Sequence, residues 1–216
     1  RQMCIRDRFD TAFHATMPDV AFLYGLPYDD YKQLRIRKYG FHGTSHMFVS
    51  QEAAKYLGRE NDESLKVVTC HLGNGSSISA VKGGRSVETS MGFTPLDGLM
   101  MGTRSGSIDP AIVTFLMEHE GLSTEEVNDV LNKKSGLLGV SGISNDLRMV
   151  RDASNAGDER AILAYEMYSS ICKKYIGQYL ALMSGADAIV LSAGVGENCQ
   201  KMRRMIFSGF QPLGII

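Results

Sequence analysis

Apolar residues recur along this chain in two periods, and the alternation between them predicts an α/β or α+β architecture. Leu65–Cys70 is a short run rich in β-branched residues and reads as a buried strand. Ile78–Val81 and Ser86–Thr89 flank Gly83-Gly84, the signature of a hairpin. Ala188–Ser192 reads as a further buried strand, followed by a sharp turn at Gly194-Val195-Gly196. Helical periodicity appears over His46–Leu57, with Val49, Ala53, Tyr56 and Leu57 on one face, Thr44 or Ser45 as cap and Gly58 as stop. Pro110 suits the first turn of a helix over Ala111–Glu118. Ser123 with Glu126 forms a capping box for a helix ending near Gly136. The longest helix is expected over Asp158–Ser184. There Ala161, Tyr165, Tyr168, Cys172, Tyr175, Tyr179 and Leu182 alternate in steps of four and three, a stripe read as core packing, and Gly185 ends it. Residues 9–39 read as irregular, and 90–110 and Gly139–Arg148 as loops, the first long enough to carry function.

Composition narrows the function classes. The 216 residues are 44% hydrophobic and 22% charged, with a formal net charge of -1. That balance excludes a disordered chain and argues against a dedicated nucleic-acid binder. The longest stretch without an acidic or basic residue, Val67 to Val81, contains polar groups and is too short for a membrane span. Cys4, Cys70, Cys172 and Cys199 form no CxxC pair, so a disulfide or zinc framework is not expected and a reducing cytosol is. The opening RQMCIRDR has no apolar core, which argues against a secretory signal, and it lacks a period, so residues 1–8 read as a non-native scar. Both ends look cut, and the chain is expected to be an interior fragment.

Several segments have the chemistry of anion contacts. His71-Leu72-Gly73-Asn74-Gly75-Ser76-Ser77 follows a strand, and its glycines would let backbone N–H groups approach a phosphate. Asn-Gly is equally a plain hairpin turn, and the two readings are compatible at a hairpin tip. Gly102-Thr103-Arg104-Ser105-Gly106 sets one guanidinium fork among small residues, which suits a phosphoryl group, although a lone loop Arg is more often solvated. In Gly40-Phe41-His42-Gly43-Thr44-Ser45-His46 two histidines stand four apart, without the HExxH pattern or an acidic third ligand that a metal site would need. His42, before a helix start, suits an anion better. Ser192-Ala193-Gly194-Val195-Gly196-Glu197-Asn198 resembles a GxG dinucleotide loop but lacks the third glycine. Taken alone, Asp146-Leu147-Arg148 reads as a cap or ion pair, and Asp10 as a turn residue.

Read together, FDTAFHATMP, KYGFHGTSH, VVTCHLGNGSS, TSMGFTPLDGLMMGTRSGSIDP, KKSGLLGVSGISNDLR and LSAGVGEN resemble, in order and spacing, the motifs of the acetate kinases. The resemblance covers about residues 9–216. It implies a ribonuclease-H-like (actin-like ATPase) domain, α/β, whose mixed sheet of five strands is flanked by helices. Residues 9–40 would be an interdomain, active-site segment and 41–216 an incomplete second domain. It further implies a cytoplasmic homodimer that transfers the γ-phosphoryl of ATP to acetate, reversibly, giving acetyl phosphate and ADP with Mg2+. Propionate or butyrate as acceptor, or a nucleotide-binding module without catalysis, are the alternatives.

By the same resemblance, His42 and Arg104 steady the phosphoryl in flight and Asp10 is the active-site carboxylate. The span His71, Leu72, Gly73, Asn74 and Gly75 contacts phosphate. Asp146, Leu147 and Arg148, with the turn Gly194, Val195, Gly196, Glu197 and Asn198, bind the nucleoside. Phe41 and Pro95 wall a pocket for the acetate methyl. Acetate is already an anion, so Asp10 is expected to orient Arg104 or the metal's water shell at least as much as to act as a base. The N-terminal half-domain and the C-terminal metal-side glutamate of the family are not matched, so no residue here is assigned to magnesium, and this chain alone is expected to be inactive.

Overall fold

A computed structural model describes residues 10–215. The proposed scar at residues 1–8 lies outside them, as does Phe9. The first described elements are short: a 3-10 turn Phe13–Thr16, α1 Asp19–Phe22 and α2 Tyr28–Leu34. Then come α3 Gly43–Tyr56, β1 Lys66–Leu72, β2 Ser76–Lys82 and β3 Arg85–Thr89. After a loop follow α4 Ala111–Glu120, α5 Thr124–Lys133, α6 Gly136–Ser141, α7 Leu147–Asn155 and α8 Glu159–Met183. The series closes with β4 Ala188–Ser192, α9 Ala193–Asn198, α10 Gln200–Phe207 and a 3-10 turn Gln211–Leu213.

The strands form one sheet in the order β3-β2-β1-β4, antiparallel except for the parallel pair β1–β4. The resemblance implies five strands; the described residues carry four, and β4 is an outer strand. Its residues Ala188–Leu191 are half-buried rather than buried, because only β1 pairs with it and its faces are partly open.

Strand periodicity separates two chemistries. Val68, Cys70, Leu72, Ile78 and Ala80 join Tyr165, Tyr168, Cys172, Ile176 and Tyr179 of α8 in the main apolar core. The opposite face of β1 and β2 carries Thr69, His71, Ser77 and Ser79, in register as Thr69↔Ser79 and His71↔Ser77. Helix α3 covers that polar face, and its own buried residues are Gly43, His46, Ser50 and Ala54. The expected apolar face of this helix holds only in part: Ala53 packs on the small cluster of Ala54, Leu65, Val67 and Val81, whereas Tyr56 is 92% exposed. Polar groups on the sheet select a polar helix face, since each buried polar atom needs a partner. The helix also begins at Gly43, before Thr44 and Ser45, so neither caps it; His42 is the N-cap, in left-handed conformation with φ 57.

Other boundaries move for stated reasons. The capping box of Ser123 and Glu126 is formed, but α5 ends at Lys133, and Gly136 opens α6 instead. Gly136 has φ 63 and lies against the backbone of Met101 and Arg104, an approach that a side chain would block. The expected loop Gly139–Arg148 is thus partly helical at both ends. The long helix carries its stripe as expected, except that Leu182 is 56% exposed. No helix among the described residues is long and apolar enough to cross a membrane.

Candidate active site

The β1–β2 turn is the hub of the site. Gly73 N–H donates to Gly75 O at 3.2 Å, closing the tip. Ser76 Oγ donates to Gly73 O at 3.0 Å and lies 2.8 Å from Tyr168 Oη. The single Ser76 proton is committed to the carbonyl, so Tyr168 is the donor in the second bond. Asn74 O accepts from Gly102 N–H at 3.0 Å, and Asn74 Oδ1 accepts from Asn145 Nδ2 at 3.2 Å. The turn is thereby tied to the 90–110 loop and to the residues before α7.

On one side of the turn is a group of basic and imidazole side chains. A methyl group placed on Gly75 would lie 3.4 Å from His42 Nε2 and 3.6 Å from Arg104 Nη1, so both groups converge on this glycine. The His42 and His71 rings stack at 4.1 Å between centroids. Among the described residues Arg104 Nη1 makes long contacts, 3.4 Å to Pro95 O and 3.6 Å to Met101 Sδ. Its loop is anchored where Leu137 and Leu138 N–H of α6 bond Met101 O and Gly102 O at 2.9 and 3.0 Å.

On the other side lies a cavity of about 600 Å3, lined among others by Gly73, Asn74, Asn145, Tyr168 and Cys199. Asp146, Leu147 and Arg148 line it, as do Gly194, Val195 and Asn198. Asp146 caps α7, accepting from Arg148 N–H at 2.9 Å, and its carboxylate pairs with the Arg148 guanidinium at 2.6 Å. That guanidinium and N–H hold the Asp146 carboxyl down at about 2. The expected turn at Gly194 is the short helix α9; the sharp bend falls one residue earlier, at Ala193 with φ 64. Gly196 and Glu197 are not among the lining residues, and the Leu72 side chain is fully buried in the core, so of that residue only the backbone borders the turn.

Burial governs the histidines. Desolvation brings His42 down to about 4, with His71 and Arg104 adding repulsion and the Asp10 carboxylate opposing them. His14 is likewise held at about 4 by burial, and its Nε2 bonds Phe41 O at 2.9 Å. His71 is lowered by burial, against the pull of Asp10 and Glu197. Half-buried Asp10 thus acts electrostatically on three imidazoles. Phe41 and Pro95 enter these contacts through their carbonyls.

A set of residues escaped the sequence reading. His46 is fully buried between Thr69 Oγ1 at 2.8 Å and Ser77 Oγ at 2.7 Å, and Ser77 Oγ also meets His42 Nδ1 at 2.8 Å. Ser45 Oγ bonds His71 Nδ1 at 2.9 Å. The four-residue spacing of His42 and His46 was the available signal, and it aligns two imidazoles on one hydroxyl rather than on a metal. Among the described residues no group of three or more His, Cys, Asp or Glu side chains is placed to hold a metal ion.

The acetokinase family model matches residues 7–216. This chain belongs to that family. It is 61% identical over 206 residues to the acetate kinase of Desulfitobacterium hafniense (strain DSM 10664 / DCB-2), covering 95% of this chain and 51% of that protein. The acetate kinase structure from Porphyromonas gingivalis superposes with a TM-score of 0.93 at 49% identity, covering 96% of this chain and 52% of that one. A propionate kinase structure from Francisella tularensis subsp. tularensis SCHU S4 gives 0.90 at 46% identity, covering 94% and 52%. The fold is accordingly the α/β, actin-like ATPase fold of these acetokinase-family structures. The chain spans about half the length of the relatives it matches.

Proposed function

We propose that the protein is a phosphotransferase that moves the γ-phosphoryl of ATP onto the carboxylate of acetate, reversibly and in line, giving acetyl phosphate and ADP. The observation that carries this reading is the convergence of Arg104 and His42 on Gly75, across the β1–β2 turn from a cavity bordered by Asn74, Asp146–Arg148 and Val195. An adenine nucleotide in that cavity would bring its phosphates across the β1–β2 turn to the guanidinium. Acetate is a competent nucleophile as an anion, so the residues must position it and offset charge on the equatorial oxygens. Arg104, with weak present acceptors, has donors for a bidentate fork. The Asp10 carboxylate favours the cationic form of His42, a role in keeping with an acceptor that needs no base. Phe41 and Pro95 would wall the acetate methyl. Divalent metal, cytoplasmic location and a homodimer belong to the same reading.

Arg104→Ala in the full-length enzyme is expected to lower kcat by about 10³–10⁵ with little change in KM for ATP. Arg104→Lys should restore only part of the rate, because an ammonium lacks the fork. A near-normal kcat in the alanine variant would remove Arg104 from the mechanism. The likeness to a propionate kinase makes chain length a direct second measurement. One methylene changes discrimination by about 1–3 kcal/mol in an apolar pocket, so kcat/KM for C2, C3 and C4 acids decides the acceptor.

A further inference from the structure

We infer that His46, acting through Ser77, holds free His42 in the tautomer that carries its proton on Nδ1, so that Nε2 accepts a solvent proton when a phosphoryl anion binds. The proton order follows from the buried end of the chain of bonds. Thr69 Oγ1 lies 3.4 Å from Ser79 O, a long contact to an atom that can only accept, and we take the Thr69 proton to point there. Thr69 must then accept from His46 Nδ1–H at 2.8 Å. A neutral His46 has no second proton, so its Nε2 accepts from Ser77 O–H at 2.7 Å. Ser77 has spent its proton and accepts from His42 Nδ1–H at 2.8 Å. His42 Nε2 is left as a lone pair.

The surroundings favour this order over its reverse. His42 Nε2 and Arg104 Nη1 both border Gly75, and a lone pair facing a guanidinium is attracted where an N–H is repelled. The titratable groups facing His42 are His71 of β1, His46 of α3, His14 of the 3-10 turn, Arg104 of the loop and Asp10. Burial and the Arg104 guanidinium oppose a cation in the free site, and Asp10 favours one. An arriving anion reverses that balance. Thr69 is fully buried, so the relay has no outlet for a proton at its far end. The gain at Nε2 is therefore net: one proton moves from solvent to Nε2, and His42 becomes an imidazolium that donates to the anion while Nδ1–H stays on Ser77. His46, Ser77 and Thr69 are positioning residues in this arrangement.

The identity of the anion rests on the phosphotransferase reading; the tautomer does not. Ring nitrogen-15 NMR of this chain without ligand, above pH 7, should show His42 Nδ1 protonated and Nε2 unprotonated. A free-state signal with the proton on Nε2 overturns the inference. Sulfate is the probe for the second step, being a tetrahedral dianion that does not titrate in this range. Its binding should convert Nε2 to the protonated form, and its affinity should weaken as the pH rises from 6 to 8, by about tenfold per pH unit where a full proton is taken up. Thr69→Val removes the acceptor for His46 Nδ1–H, so His46 should move its proton to Nε2, Ser77 should donate to His42 Nδ1, and His42 should carry its proton on Nε2. In that variant the pH dependence of sulfate binding should be nearly flat. Unchanged His42 nitrogen shifts in Thr69→Val, or a pH-independent sulfate affinity in the unaltered chain, would overturn the relay. A chain that shows the stated free tautomer yet binds no sulfate would count against the phosphotransferase reading and leave the proton order supported.

Discussion

At the residue scale the histidines couple the site to stability. His14 and His42 are held near 4 by burial and His46 lies well below its ordinary value, whereas in the unfolded chain each titrates near 6.5. Between those values the unfolded state binds more protons than the folded one. Stability is therefore full above about pH 6.5 and falls as the pH drops toward 4. His14 alone contributes about 3 kcal/mol to that change. Urea unfolding at pH 7.5 and pH 5 should show the loss, and His14→Gln should lower stability at pH 7.5 while flattening the slope. A flat profile between pH 6.5 and 4.5 would mean that the imidazoles are solvated. His42 adds a backbone feature to this chemistry. Its left-handed φ of 57 at the start of α3 holds the ring beside Gly75, and such conformations persist where surrounding contacts over-determine them.

At the element scale α8 supports the site from behind. Tyr168 of the helix stripe donates to Ser76, which donates to Gly73 O, so one phenol fixes the tip of the turn that borders the cavity. Tyr168→Phe should cost about 1 kcal/mol in unfolding free energy. Nucleotide affinity should fall several-fold, with acid affinity unchanged; titration calorimetry with ADP checks this, and an unchanged ADP affinity would uncouple the helix from the turn. The sequence made this helix legible because its apolar stripe has the period of one face. The polar face of α3 was not legible, because His46 and Ser50 are buried by hydrogen bonding rather than by hydrophobicity; of the apolar stripe read on that helix Val49 and Ala53 are half-buried and Tyr56 and Leu57 exposed. Helices α6 and α7 escaped for a related reason: Gly136 reads as a helix stop and Gly139–Arg148 as loop, and the fully buried residues of α7 are Leu147 and Val150. The candidate site residues stand out as motifs, but not the hydroxyls of Ser45 in α3 and of Thr69 and Ser77 in the strands that orient the imidazoles, since Ser and Thr look ordinary one at a time.

At the scale of the whole molecule, the chain spans about half the length of its relatives. In-line transfer requires nucleotide, metal and acid in one closed cleft. We propose that the 216-residue chain retains nucleotide binding at its cavity and forms no measurable acetyl phosphate. Calorimetry with ADP beside an acetyl phosphate assay checks both halves, and robust turnover would relocate the essential groups. The sheet adds a consequence in time. Strand β4 lies parallel to β1 with Val67 against Ala188, partners roughly 120 residues apart in sequence. The β1–β2 hairpin joins neighbours and can form early, whereas the Val195 and Asn198 side of the cavity waits for β4 to dock. At synthesis rates of about 5–20 residues per second, the hairpin, complete at Lys82, would stand without β4, complete at Ser192, for roughly 5–22 seconds. Pulsed hydrogen exchange during refolding should show β1 and β2 amides protected before those of β4. The cavity beside the β1–β2 turn is then closed only after β4 has docked, and a ligand held there can stabilise the fold only from that point on.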